Sequence, residues 1–232
     1  MSDGTPRGFL AAIAAKRDAR HLAVIAEIKR HSPSVGELDH NLDPSLVAEA
    51  YELGGATCLS VLTDSERFYG SCEDLGAAHN ASSLPILRKD FIRSVEDVER
   101  SATIGADAVL LIASDLDQGT LGELQNAAQS MGMDVLVEVH TPHDLEKALE
   151  VDPEAVGVNQ RDLGTMEIDP RIHGRMIDEI PNEILVVAES GIASTTDAQF
   201  LFEIGYDAVL VGTYLIKSLN QVQALRTLTS IR

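Results

Sequence analysis

The sequence predicts a single-domain α/β protein, a closed (β/α)8 barrel over residues 1–232, and three observations carry that expectation. A helix-like run, a glycine, one or two polar residues and a short aliphatic run recur along the chain. Eight segments read as strands, separated by segments that read as helices. Charged and amide side chains gather where the strands end.

The recurring grammar is visible in "AYELGGATCLSVL", "SATIGADAVLLIA", "AAQSMGMDVLVEV" and "FLFEIGYDAVLVG". Glycine after the last helical turn supplies a left-handed cap. The aliphatic run that follows fits a strand buried on both faces, as in a parallel sheet. Strands are expected to start near Leu22, Thr57, Pro85, Asp107, Asp134, Ala155, Ile184 and Asp207. Between them, Asp43, Ser94 and Thr141 each precede a helical run as N-caps, and Thr141 is followed by proline at the first helical position. Residues 1–21 read as a short N-terminal helical extension. A doubly wound open sheet fits the same alternation; the polar residues decide for the barrel.

Composition narrows the function. A net charge of −19 argues against nucleic acid and anionic membrane as partners, since both demand clustered Lys and Arg. A small anionic ligand remains compatible, because a pocket can be locally basic. No apolar run approaches the roughly 20 residues needed to cross a bilayer. Asp3 precedes any basic residue and "AAIAA" runs into Lys16 and Arg17, so no secretory signal is expected and the location is read as cytoplasmic. Cys58 and Cys72 stand at no metal-ligand spacing, and Cys58 is expected to pack. His140 and His143 form an H-x-x-H pattern without a third ligand, so no metal is expected.

The strand ends carry the chemistry. Glu27 and Lys29 close the first strand, Lys89 the third, Glu138 the fifth, Asn159 and Arg161 the sixth, and Glu189 the seventh. In a barrel these ends converge on the face where active sites are built. Residues two apart share a strand face about 6.5–7 Å from each other, so Glu27 and Lys29 are expected to point together into the mouth. Two glycine-bearing turns follow: "ESGI" after the seventh strand, with Ser190 and Gly191, and "VGTYL" after the eighth, with Gly212 and Tyr214. Glycine admits close backbone approach, and the last two loops of barrels frequently bind phosphate. "RFYGS" places Phe68 in a loop able to cover the mouth.

With these residues assembled, the chain resembles the indole-3-glycerol-phosphate synthase family. The resemblance rests on "IAEIKRHSPSVG", "LSVLTDSERFYGS", "PILRKDFI", "GADAVLLI", "VLVEVH", "GVNQRDL", "VAESGI" and "AVLVG", in order from about Ala23 to Gly212. It implies closure of the indole ring of carboxyphenylamino-deoxyribulose phosphate, with loss of carbon dioxide and water and no metal or organic cofactor. By the same resemblance, Lys89 is the general acid and Glu138 the general base. Lys29 binds the substrate carboxylate and takes part in acid–base work, with Glu27 and Asn159 in support. Arg161, Ser32, Ser190, Gly191 and Gly212 hold phosphate, and Glu189 and Phe68 contact substrate near its aromatic ring.

Three departures from the family pattern set further expectations. The N-terminal extension is shorter than usual and is expected to lack one helix over the mouth. Tyr214 replaces a small residue at the phosphate loop and is expected to crowd it. His31 stands at a position often basic and is expected to make the phosphate pocket sensitive to pH. Within the mouth, burial and the neighbouring Lys29 would lower the Lys89 pKa toward a useful acid, while Glu27, Glu138 and Glu189 oppose that shift. A divergent paralogue on another phosphorylated amino-sugar or isomerase substrate, and an idle barrel binding phosphorylated metabolites, are the competing readings. The partner is in each case a small phosphorylated anion, and the chain is expected to be a monomer or weak homo-oligomer.

Overall fold

The computed structural model describes residues 6–162 and 164–232. Its eight barrel strands are β1 (Ala23–Ile28), β2 (Cys58–Leu62), β3 (Ile86–Lys89), β4 (Ala108–Ile112), β5 (Asp134–Val139), β6 (Ala155–Asn159), β7 (Leu185–Glu189) and β8 (Ala208–Val211). All pair in parallel with their neighbours, and β8 returns to β1 with Ala23 opposite Ala208. That closing pair makes a TIM barrel and excludes the open sheet. The helices used below are α1 (Phe9–Asp18), α2 (Pro44–Gly54), α3 (Cys72–Ala81), α4 (Val95–Thr103), α5 (Gln118–Ser130) and α6 (Pro142–Leu149). The expected caps form: Asp43 accepts from the Ser45 N–H, and Ser94 and Thr141 each anchor a reciprocal capping box. Gly55, Gly105, Gly132 and Gly205 all take positive φ at the ends of their helices. A short hairpin pairing His31–Ser32 with Gly36–Glu37 sits in the loop after β1 and was not expected.

Each strand begins at the expected residue or one residue later, for a physical reason. The polar residue ahead of the strand works through its side chain. Thr57 Oγ1 accepts the Val24 N–H at 3.1 Å, Asp107 the Ile86 N–H at 2.8 Å, and Asp207 the Val186 N–H at 2.9 Å. Each thus ties its own strand to the one before it. Asp107 also accepts the Arg7 N–H at 2.7 Å, and Asp134 accepts the Leu10 N–H at 2.8 Å, which pins α1 across the N-terminal end of the barrel. The helix of the extension therefore closes the end opposite the mouth. Asp107 is 2% exposed, so Asp107→Ala strands two donors in the interior. It is expected to cost about 3 kcal/mol in urea unfolding, and an unchanged midpoint would contradict this role.

Strand alternation then builds two cores. Val24, Ala26 and Ile28 of β1 face the helical layer. Ala23 and Ile25 face inward and join Cys58, Leu87, Leu136 and Val187 in a plug completed by Phe9, Leu10 and Ile13 of α1. The inward series of a strand continues to its last residue. On β1 it reads Ala23, Ile25, Glu27; on β5, Leu136, Glu138; on β7, Leu185, Val187, Glu189. Apolar filling at the lower end thus gives way to carboxylates at the upper end. No described helix is long and apolar enough to cross a membrane.

Candidate active site

The upper strand ends surround a cavity of about 600 Å³. Glu27, Lys29 and Ser32 enter it from β1 and its loop, Lys89 from β3 and Glu138 from β5. Asn159 and Arg161 line it from β6, and Glu189, Ser190 and Gly191 from β7. Gly212 and Tyr214 close the circuit after β8, and Phe68 covers one side from the loop after β2. Residues separated by most of the chain therefore share one hollow.

At its base lies a buried triad. Lys89 Nζ is 2.9 Å from Glu138 Oε2 and 2.5 Å from Glu189 Oε2. Glu138 and Glu189 are each 1% exposed. Burial alone draws the Lys89 ammonium down, but Glu138, Glu189 and Glu27 outweigh it and hold Lys89 above its ordinary value. Of the opposing influences named from the sequence, the carboxylates prevail around this lysine. The two carboxylates diverge. Burial would raise Glu138, yet Lys89 and His140 hold it below the usual carboxylate range. Burial, reinforced by the charge of Glu138, pushes Glu189 up to about 8 despite Lys89. The pair is thus poised with Glu138 ionised and Glu189 able to carry a proton.

A second pair stands beside the triad. Lys29 and Glu27 form a short ion pair, as two inward positions of one strand permit. Gly212 lies against it; a Cβ there would collide with the Glu27 carboxylate and lie 2.9 Å from Lys29 Nζ. Asn159 Oδ1 accepts the Arg161 N–H at 3.0 Å, which turns the chain so that Arg161 stays on the cavity wall beyond the strand end. Arg161 Nη1 donates to the Met166 carbonyl at 2.9 Å. Neither Arg161 nor Lys217, a second cation on the rim, pairs with a carboxylate among the described residues. The rim near loops six to eight is therefore locally basic on an acidic protein.

Two residues of this rim escape a reading of motifs. Gln160 Nε2 donates to the Ser190 carbonyl at 3.0 Å and occupies the space a side chain at position 191 would need. Ser190 and Gly191 both take left-handed conformations, φ 66° and 71°, so Gln160 braces a turn of unusual backbone. Its burial between two cavity residues is set by the three-dimensional fold, and the "NQRDL" run does not show it. Lys217 lies five residues past Gly212, one helical turn too far for strand-end logic to reach.

Elsewhere expectations need adjustment. His31 does not line the cavity: its ring stacks on Tyr69 at 4.5 Å and Nδ1 lies 2.6 Å from the Arg67 carbonyl. The hairpin turns it toward the loop after β2, away from the cavity. That loop is laced to its surroundings, with Asp64 Oδ1 accepting from Arg67 N–H at 2.6 Å and the Arg67 guanidinium 4.5 Å over the Phe91 ring. Cys58 is buried with Sγ 3.6 Å from the Phe9 carbonyl, a packing role. His143 is exposed, and His140 packs against Glu138.

Comparison with known proteins adds to the geometry. The profile of the family described as "Indole-3-glycerol phosphate synthase" matches residues 2–228. A protein named indole-3-glycerol phosphate synthase from Rhodococcus jostii is 44% identical over 209 residues, 90% of this chain and 78% of the relative. One named indole-3-glycerol phosphate synthase 2 from Ralstonia nicotianae is 40% identical over 227 residues, 98% of this chain and 85% of the relative. Among solved structures, a thiamine phosphate pyrophosphorylase from Pyrococcus furiosus superposes with a TM-score of 0.68 at 15% identity, covering 91% of this chain and 95% of its own. That likeness speaks to the barrel alone.

Proposed function

Because the chain belongs to the indole-3-glycerol phosphate synthase family, we propose that its cavity closes the indole ring of 1-(2-carboxyphenylamino)-1-deoxyribulose 5-phosphate, with Lys89 as acid and Glu138 as base. The observation that carries the assignment is the triad itself: one ammonium held between two carboxylates of opposite tendency at the floor of a ligand-sized hollow.

The substrate is a small phosphorylated anion. Its phosphate is assigned to the basic rim, with Arg161 and the backbone around Ser190, Gly191 and Gly212. Its aromatic carboxylate is assigned to Lys29, which Glu27 steadies. So anchored at both ends, the ring carbon bearing the carboxylate attacks the ribulose carbonyl carbon. The carbonyl π pair moves to oxygen, which takes a proton from Lys89. The alkoxide developing there is a stronger base than an amine, so a lysine of raised pKa still delivers its proton and is fully loaded beforehand. Carbon dioxide departs and its bonding pair restores aromaticity. The new hydroxyl then leaves as water on a second proton, passed through Lys89 from Glu189, while Glu138 takes the proton whose loss forms the indole double bond. Glu189 lies where it shares a proton with Lys89 between turns.

The test is an ultraviolet assay of indole formation from that substrate, with inorganic phosphate as competitor. Phosphate is expected to raise KM without changing kcat. Arg161→Ala is expected to raise KM about tenfold to a hundredfold, as for loss of a hydrogen bond to a charged group, with kcat within about threefold. No absorbance change at saturating enzyme would overturn the assignment. Turnover insensitive to phosphate and to Arg161→Ala would remove the anion site from the rim.

A further inference from the structure

His140 takes no part in the ring closure as described, yet its placement is specific. It follows the last residue of β5, on the turn into α6. Its N–H donates to Asp144 Oδ2 at 3.1 Å and that of Thr141 does so at 3.0 Å, so the capping box of α6 fixes the backbone here. The imidazole is thereby turned back on its own strand. Nε2 lies 3.2 Å from Glu138 Oε1, a charge contact whose angle falls short of a hydrogen bond, neither ring nitrogen has another hydrogen-bond partner among the described residues, and the side chain is 10% exposed. Glu138 Oε2 belongs to Lys89, at 2.9 Å. The two oxygens of one carboxylate therefore have separate partners, one in the cavity and one behind it. His140 is not among the residues that line the cavity.

A fully buried histidine of the same barrel, His173, shows the contrast. His173 points Nε2 at the Val158 carbonyl at 3.0 Å, and burial holds it below its ordinary pKa. That is a neutral imidazole satisfying the core. His140 instead faces a carboxylate at the end of a strand, where a backbone carbonyl would serve packing equally well.

We propose that His140 is a positioning residue for Glu138, holding Oε1 so that Oε2 stays turned toward Lys89 and the reacting atoms. The proposal rests on Glu138 acting as the base. The groups around the imidazole are Glu138 on β5, Glu189 from β7 and Asp144 from α6, with Lys89 across Glu138 and Asp162 in the loop after β6. Burial draws His140 down, but Glu138 first, then Glu189 and Asp144, raise it above its ordinary value. As an imidazolium it keeps Glu138 ionised; as pH climbs past that raised value the help is lost and Lys89 alone remains.

The experiment is a pH–rate profile of the full chain and of His140→Phe, His140→Gln and Glu138→Gln, joined to an NMR titration of the His140 ring proton. In His140→Phe, kcat is expected to fall about tenfold, a fraction of what a general base contributes, with KM within about twofold. The acid limb of its profile, where Glu138 takes a proton, is expected to move to higher pH. His140→Gln, whose amide can still donate to Oε1, is expected to recover most of kcat, and it replaces the Phe variant should that one not fold. In Glu138→Gln the titration midpoint of His140 is expected to fall. Wild-type kcat with an unmoved acid limb in His140→Phe would overturn the proposal, as would a rate loss that Gln does not rescue, or a midpoint indifferent to Glu138→Gln. Full activity in Glu138→Gln would instead remove the base from Glu138, while the NMR midpoint still reports whether the two side chains are coupled.

Discussion

Lys89→Ala is expected to lower kcat about 10³-fold while the barrel stays folded and still binds substrate. The size follows from where Lys89 sits. It is the donor within 3 Å of both Glu138 and Glu189, and in the proposed mechanism the carbonyl oxygen takes its proton from that ammonium. Alanine removes the proton and also the charge between two buried carboxylates. Like charges so close cannot both stay ionised, and each is expected to rise in pKa. The native state then binds more protons than the unfolded chain across the ordinary carboxylate range and above it. Stability of the variant relative to wild type should therefore fall as pH rises from about 4 toward 8. At low pH the carboxylates are neutral and the deficit should be small. Calorimetric melting across that range, alongside substrate binding and indole formation, checks all three statements. A variant retaining more than a tenth of wild-type kcat would place the acid elsewhere.

The barrel was legible because two signals agree: glycine at each helix end and an aliphatic run after it. The polar residue between them, Asp107 or Asp207, was visible too, but not that it laces its strand to the preceding one. The site was legible through one rule, that inward positions of a strand continue to its last residue; this is why Glu27, Lys89, Glu138 and Glu189 meet. What escaped is whatever depends on side chains meeting across the barrel. That Lys89 would meet these carboxylates was legible, but not which influence would win: Glu138 and Glu189, within 3 Å of its ammonium, raise its pKa against burial. His31 was read into the phosphate pocket from its neighbours in sequence, whereas a two-residue hairpin turns it outward onto Tyr69. Gln160 and Lys217 stand one strand-face and one helical turn away from the positions that motif logic inspects.

Replacing the two carboxylates by glutamine should separate their roles, and the contrast is larger than either substitution alone suggests. Glu138 is ionised across the working range, because Lys89 and His140 hold it below the usual carboxylate value. Glu138→Gln therefore removes a competent base at every pH, and kcat is expected to fall about 10²- to 10⁴-fold without a pH at which it recovers. Glu189 differs, pushed up to about 8 by burial and by Glu138. Being the carboxylate of the pair that burial favours protonating, Glu189 is well imitated in shape and charge by glutamine near neutrality. Glu189→Gln should therefore turn over within about tenfold of wild type near neutrality, the gap widening as pH rises through about 8. Stability moves the other way. A carboxylate raised in the folded state costs stability between its unfolded value, about 4.3, and its folded one, so wild type weakens over that window. Glu189→Gln lacks this penalty and should gain on wild type as pH rises. Parallel pH–rate profiles and urea midpoints decide it. If Glu189→Gln proves as inactive as Glu138→Gln at neutral pH, then Glu189 is ionised in the working enzyme and the division of labour between them is reversed.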